Sequence, residues 1–339
     1  MAATRRTLII GAGAAAFASG AWAKPRPAAG PYGAAAEYSA QRRGVSLLVM
    51  REGKVLFEDY PNAGGPDKAW ELASGTKSFT GVMAAAASQD GLLHIDEACA
   101  DTLPEWCNDA RKAIAIRHLL QLNAGLKGEG AIGRPPAYLD AIKARPKYAP
   151  GEKFEYGPTN FQAFGEILKR KLRAKGLPDD PVMWFRGRVL DHIGVSFADW
   201  KRGRDGNPVL PQGGRFTARN WARFGQWVFD GGSGVDGRVM KALFEAAPSN
   251  PGYGLSWWLI RPGLIGPSPR AGVDEGEIGS FAQSEDIVMA AGAGDQRLYL
   301  IRKRNLIVVR QADQIMRGMF ARGRNTWSDA DFLQLLADA

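Results

Sequence analysis

The chain has 339 residues, 45% of them hydrophobic and 23% charged, with a formal charge of +9 at pH 7. This length and composition support one large hydrophobic core or two, and exclude a long disordered or low-complexity chain. With two cysteines, three histidines and no Cys-x-x-Cys or His-Glu-x-x-His, the common zinc-site spacings are excluded as well.

The N-terminus reads as an export signal. Arg5 and Arg6 precede a mildly apolar Gly/Ala-rich run over residues 11–20, and Ala21-Trp22-Ala23 places small residues at the first and third positions of a cleavage site. Paired arginines before such a run are the twin-arginine pattern, which exports folded proteins. The run is too short to span a bilayer permanently. The expectation is a signal over residues 1–23, a Pro/Gly/Ala linker over 24–33, and a periplasmic or secreted domain over 34–339 with no stable membrane anchor.

Residues 34–43 have helical character. Strand-like runs follow at 45–50 and 54–60, joined by the hairpin signal Arg51-Glu52-Gly53. An Ala-rich helix is expected from Ser74 to about Ala87, ending near Asp90-Gly91. From 92 to 213 the pattern is mostly helical. In residues 159–175, Phe161, Phe164, Ile167, Leu168 and Leu172 share one face at helical spacing. Further helices are expected at 182–193 and from Thr217 through Val228. The chain then turns strand-like at 254–260, 286–290, 297–301 and 306–310, and ends in a helix over 329–336. Early strands, late strands and helices between them predict an α/β (α+β) fold. One antiparallel sheet is built from both chain ends and flanked by terminal helices, with a helical lobe over about 92–213 inserted.

The stretch Glu71-Leu-Ala-Ser74-Gly-Thr-Lys77 carries the chemistry. Three residues apart at a helix start, Ser74 and Lys77 share a face. A serine hydroxyl needs a base within hydrogen-bond reach. A desolvated lysine can be that base, and free N–H groups at the helix start lie beside a developing oxyanion. The plainer alternative is Ser74 as a helix cap and Lys77 as a solvated charge. Tyr156 stands in a loop after Pro150-Gly151 and just before the amphipathic helix. Near Lys77, its phenol can be held as phenolate or shuttle a proton; otherwise its ring packs in the core.

These residues, with residues 116–126, 150–165 and 253–259, resemble the serine β-lactamase-related hydrolases: class C β-lactamases, DD-peptidases and related esterases. The resemblance implies that Ser74 is the nucleophile, that Lys77 and Tyr156 handle its proton, and that Gly165 completes the frame of the second motif. It departs where a β-lactamase has Tyr-x-Asn, since Tyr156 is followed by Gly157-Pro158, with Asn160 too late to supply the same amide. No copy of the Lys/His-Thr-Gly motif is present. Its counterpart is Ala291-Gly-Ala-Gly-Asp-Gln296, similar to the Gly-rich form of esterase and aminohexanoate-oligomer hydrolase branches. The resemblance implies oxyanion donors at Ser74 and at Ala293 or Gly294, with Trp257 and Trp258 as candidate cleft residues. It requires no metal or organic cofactor. The implied substrate is a small ester or amide, with a DD-peptidase or β-lactamase, or a ligand-binding relative without turnover, as alternatives.

Other features point elsewhere. His94, His118 and His192 are read as structural, and no Gly-x-Ser-x-Gly elbow supports a Ser-His-Asp triad. Cys99 and Cys107 are candidates for a short-loop disulfide in an oxidising compartment, or for two separate thiols. The basic run over residues 169–175 is read as a solvated helix face rather than a nucleic-acid site.

Overall fold

The computed structural model describes residues 30–128, 134–260, 285–320 and 326–339. The expected signal and most of the linker lie outside the described residues. Helix α1 (Gly33–Gln41) leads into strands β1 (Gly44–Arg51) and β2 (Lys54–Asp59). Their hairpin turns on Glu52 and Gly53, both with positive φ. The late strands are β6 (Trp258–Ile260), β7 (Ile287–Gly292), β8 (Gln296–Ile301) and β9 (Leu306–Ala312). Together these strands form one antiparallel sheet in the order β2-β1-β9-β8-β7-β6, with Leu47 opposite Arg310 where the two ends of the chain meet. Strands β1, β7, β8 and β9 are buried along nearly their whole length, so they read as continuous apolar runs rather than alternating ones.

Between the early and late strands lies the expected helical region. It contains α3 (Ile116–Leu120), α4 (Tyr138–Ala141), α5 (Thr159–Ala174) and α6 (Pro181–Phe185). The predicted helix over 182–193 is divided: after α6 the chain widens into a π-type turn over Arg186–Leu190. A small sheet of β3 (Trp70–Glu71), β4 (Asp199–Trp200) and β5 (Gly214–Phe216), in the order β3-β5-β4, joins this lobe to the nucleophile segment.

Helix α2 (Lys77–Gln89) ties the two halves together and is buried from Lys77 through Ala87. Its alanines allow close approach on every side. Its one large aromatic, Phe79, stacks on Phe224 of α7 (Ala218–Phe229) at 4.0 Å and on Phe216 at 4.9 Å, with Trp200 edge-on at 5.7 Å. This packing fixes the first turn of α2, and therefore Lys77. On α5, Gly165 is required by sterics, since a Cβ there would enter the Tyr138 ring. The basic side chains of α5 are engaged within the molecule: Arg170 with Glu166 and Glu105, Lys171 with Glu97, and Arg173 with Asp179.

The possible disulfide is not formed. Cys99 is buried and Cys107 exposed, both as free thiols. Cys99 points into the core, whereas the Cys107 Sγ faces the Ala100 carbonyl at 3.7 Å. Burial pushes the Cys99 thiol pKa up strongly.

Candidate active site

Ser74 sits in a 3-10 turn, Ala73–Thr76, that runs directly into α2. The turn is strained: Ala73, the residue before the serine, has φ 46°. Three bonds hold it. Leu72 N donates to Gly214 O at 3.0 Å. The Thr76 hydroxyl donates to Ala73 O at 2.7 Å and accepts from Gly214 N at 3.2 Å. Strand β5 therefore fixes the backbone that presents Ser74.

Lys77 is 4% exposed. Its Nζ donates to Ser74 Oγ at 2.8 Å and to Pro211 O at 3.1 Å. The Tyr156 and Phe161 rings lie near it, at 4.8 and 5.7 Å from Nζ to the centroids. Among the described residues no carboxylate pairs with this amine, and its burial lowers its pKa to about 7. Much of it is therefore neutral at physiological pH, with its nitrogen on the serine oxygen.

The Tyr156 hydroxyl shares a hydrogen bond with the Ser74 hydroxyl. The residue is 38% exposed, so its ring forms a wall of the open cleft. Desolvation at the cleft floor nevertheless pushes its pKa up to about 12, partly offset by the Ser74 hydroxyl and the charge of Arg297. Tyr156 is thus a neutral phenol at physiological pH. The phenolate alternative is not the state this environment favours; the proton-shuttle alternative fits it.

Some expected site residues lie elsewhere. Asn160 is buried in the first turn of α5, with no hydrogen bond to Ser74, Lys77 or Tyr156. The second acceptor on Lys77 is instead the Pro211 carbonyl. A backbone oxygen leaves no side-chain signature, which is why the sequence did not reveal it. Trp257 is fully buried, edge-on to Phe244, and does not line the cleft. Its neighbour Trp258 does the packing at the site, 5.5 Å from the Tyr156 ring and 4.7 Å from Tyr253. The turn at Ser256, with φ 65°, precedes β6 and leaves Trp257 buried just ahead of the strand that begins at Trp258.

The Gly-rich segment also resolves residue by residue. Gly292 ends β7 against the nucleophile turn: a Cβ there would run into Leu72 O and stand 3.0 Å from Gly75 N. Ala293 follows, half-exposed. Gly294 has φ 70°, and a Cβ there would run into Ile315 of the short helix Ile315–Met319. Of the two expected donors, Ala293 is the one beside the close approach.

Two of the three histidines serve the backbone. His118 Nδ1 accepts from Ala115 N at 3.0 Å and His94 Nδ1 from Asp96 N at 3.2 Å. No histidine hydrogen-bonds Ser74 among the described residues.

Comparison with known proteins agrees with this geometry. The family model described as Beta-lactamase matches residues 22–176. Protein flp of Staphylococcus aureus (strain COL) is 23% identical over 182 residues, covering 48% of this chain and 36% of flp. The chain thus spans about a third of the length of that curated relative. Among solved structures, the hydrolase EstCE1, described as having promiscuous acyltransferase activity, superposes with a TM-score of 0.65 at 14% identity, covering 91% of this chain and 97% of its own. A class C β-lactamase from Rhodobacter sphaeroides superposes with a TM-score of 0.63 at 14% identity, with the same coverage. Residues 22–176 carry the β-lactamase family pattern, and the chain as a whole has the fold of the serine β-lactamase-related hydrolases.

Proposed function

We propose that the protein is a serine hydrolase that transfers the acyl group of a small carboxylic ester or amide to water. The observation that carries this reading is the buried, unpaired Lys77 amine 2.8 Å from Ser74 Oγ. In the acylation step, neutral Lys77 takes the Ser74 proton as Oγ bonds to the substrate carbonyl carbon. The resulting oxyanion is held by the backbone N–H groups of Ser74 and Ala293. Tyr156, a neutral phenol on the same hydroxyl, passes a proton to the departing alkoxide or amine and regains one from the Lys77 ammonium. Deacylation repeats the sequence with water in place of the leaving group.

The ester reading is favoured over a β-lactamase by the end of β7. That strand finishes in Ala290-Ala291-Gly292, whose own side chains offer a β-lactam carboxylate no cation or hydroxyl. The nearest guanidinium, Arg297, is occupied by Asp329. The aromatic wall of Tyr156, Trp258 and Phe154 suits an uncharged acyl or leaving group.

The test is hydrolysis of p-nitrophenyl butyrate by the wild type, Ser74→Ala and Tyr156→Phe. Ser74→Ala is expected to lose all turnover. Tyr156→Phe should lose about 10²- to 10⁴-fold, the usual contribution of a positioned proton-transfer group. Equal rates in all three would remove the reading. A wild type that acylates without release would instead make it a ligand-binding relative.

A further inference from the structure

We propose that Arg297, fixed by Asp329 at the start of the C-terminal helix (Asp329–Ala337), is a positioning residue that sets the backbone of the Gly292–Gln296 turn against the Ser74 turn. The inference rests on the serine-hydrolase reading, because the element it positions is the oxyanion edge.

The turn between β7 and β8 is held from beneath by two guanidiniums buried in the protein. Arg297 is 3% exposed and Arg310 is fully buried. Arg297 Nη1 donates to Gly292 O and Gln296 O, each at 3.1 Å. Arg310 Nη1 donates to Asp295 O at 2.7 Å and Gly294 O at 3.4 Å. Four carbonyls of one five-residue turn are therefore engaged by buried cations. The Gln296 side chain adds a reciprocal pair with Ala312, donating at 2.8 Å and accepting at 3.1 Å.

The other end of Arg297 is fixed as firmly. Its Nε and Nη2 donate to the two carboxylate oxygens of Asp329 at 2.7 and 3.0 Å. Asp329 also accepts from the Trp327 indole at 3.1 Å and from the Tyr299 hydroxyl. A planar guanidinium held on one edge by a carboxylate presents its remaining N–H groups in a fixed direction. Here that direction is the Gly292 carbonyl, and the opposite side of Gly292 is the Leu72–Gly75 backbone.

A buried ion pair is weak support for stability, since apolar residues of similar volume often serve as well. Placement of a backbone donor is different, because oxyanion donors act only within about 2.7–3.1 Å of the charge. The C-terminal helix, far from Ser74 in sequence, thereby acts on the site through Asp329, Arg297 and Gly292 in turn. Arg297 makes no hydrogen bond to Ser74 or Lys77; its charge also lowers the Tyr156 pKa, and Arg297→Lys, which keeps that charge, isolates the backbone contribution.

The experiment compares the full-length wild type with Asp329→Asn and Arg297→Lys, using p-nitrophenyl butyrate turnover and phosphonylation of Ser74 by a fluorophosphonate. Rates are taken per folded molecule, well below each variant's melting transition. The expected result is kcat lowered about 10- to 100-fold, the loss of a fraction of one oxyanion donor, with KM within about two-fold and phosphonylation slowed in parallel. Unchanged kcat per folded molecule in both variants overturns the inference and leaves the hydrolase reading intact. A wild type that neither turns over the ester nor is phosphonylated at Ser74 overturns both. Should both variants fail to fold, hydrogen exchange on the phosphonylated wild type decides. Slowed exchange in residues 290–297 together with 327–333 supports the linkage, and slowing confined to 290–297 overturns it.

Discussion

At the scale of single residues, the site depends on a lysine that is deprived of a counter-ion. With its pKa brought down to about 7, Lys77 is a base only above that value. The acid limb of kcat/KM is therefore expected at an apparent pKa near 7, with activity rising as pH increases. A pH–rate profile with its limb near 4–5 would assign the base to a carboxylate instead. The same shift has a stability sign. Between pH 7 and 10.5 the unfolded chain binds a proton on Lys77 that the native state does not, so stability rises with pH across that window. Below pH 7 the full penalty applies, up to about 5 kcal/mol at about 1.4 kcal/mol per unit. Lys77→Met is expected to be inactive yet more stable at pH 6, with the gain disappearing by about pH 10.5, measurable by thermal melts at both ends. The closeness of Ser74, Lys77 and Tyr156 was legible in the sequence because the Ser-x-x-Lys spacing and the Pro-Gly-x-x-Phe-x-Tyr frame lie in side chains. Pro211 was not, because its contribution is a carbonyl that any residue possesses. Between Trp257 and Trp258, composition could not say which packed on Tyr156; the turn at Ser256 before β6 decided it.

At the scale of elements, the fit between β7 and the nucleophile turn allows no side chain at position 292. Gly292→Ala is expected to lower kcat by at least about 10²-fold, since the Cβ must displace either the strand or the Leu72 carbonyl, and each adjoins one of the proposed oxyanion donors. Its far-UV circular dichroism should remain that of the wild type, because the sheet register is fixed at Ala290, Ala291 and the strands beyond. An equally active Gly292→Ala variant would place the oxyanion edge elsewhere. Strands β7 to β9 were visible as apolar runs bounded by turns. Strand β6 is shorter than its apolar run, because Tyr253–Trp257 is folded back by a turn in which Ser256 takes φ 65°. Helix α2 was expected from Ser74. The 3-10 turn and strained Ala73 before it were hidden, since both arise from the contact with β5 rather than from local propensity.

At the scale of the whole molecule, a sheet built from both chain ends could be anticipated from strands that came early and late. The strand order, with β1 between β2 and β9, could not. It depends on pairing between segments that apolar runs alone do not match to one another. The net positive charge, a possible sign of an anionic partner, is in α5 largely balanced by acidic neighbours. One feature of the sheet governs how the protein comes into being. Strand β1 finds its partner β9 only across the whole intervening sequence, with Leu47 opposite Arg310. Loop closure over that separation is slow, so β1 waits on the late strands before the sheet can close. Until it does, the Gly292 edge has not met the turn that presents Ser74, and on the proposed mechanism the nucleophile has only one of its two backbone donors.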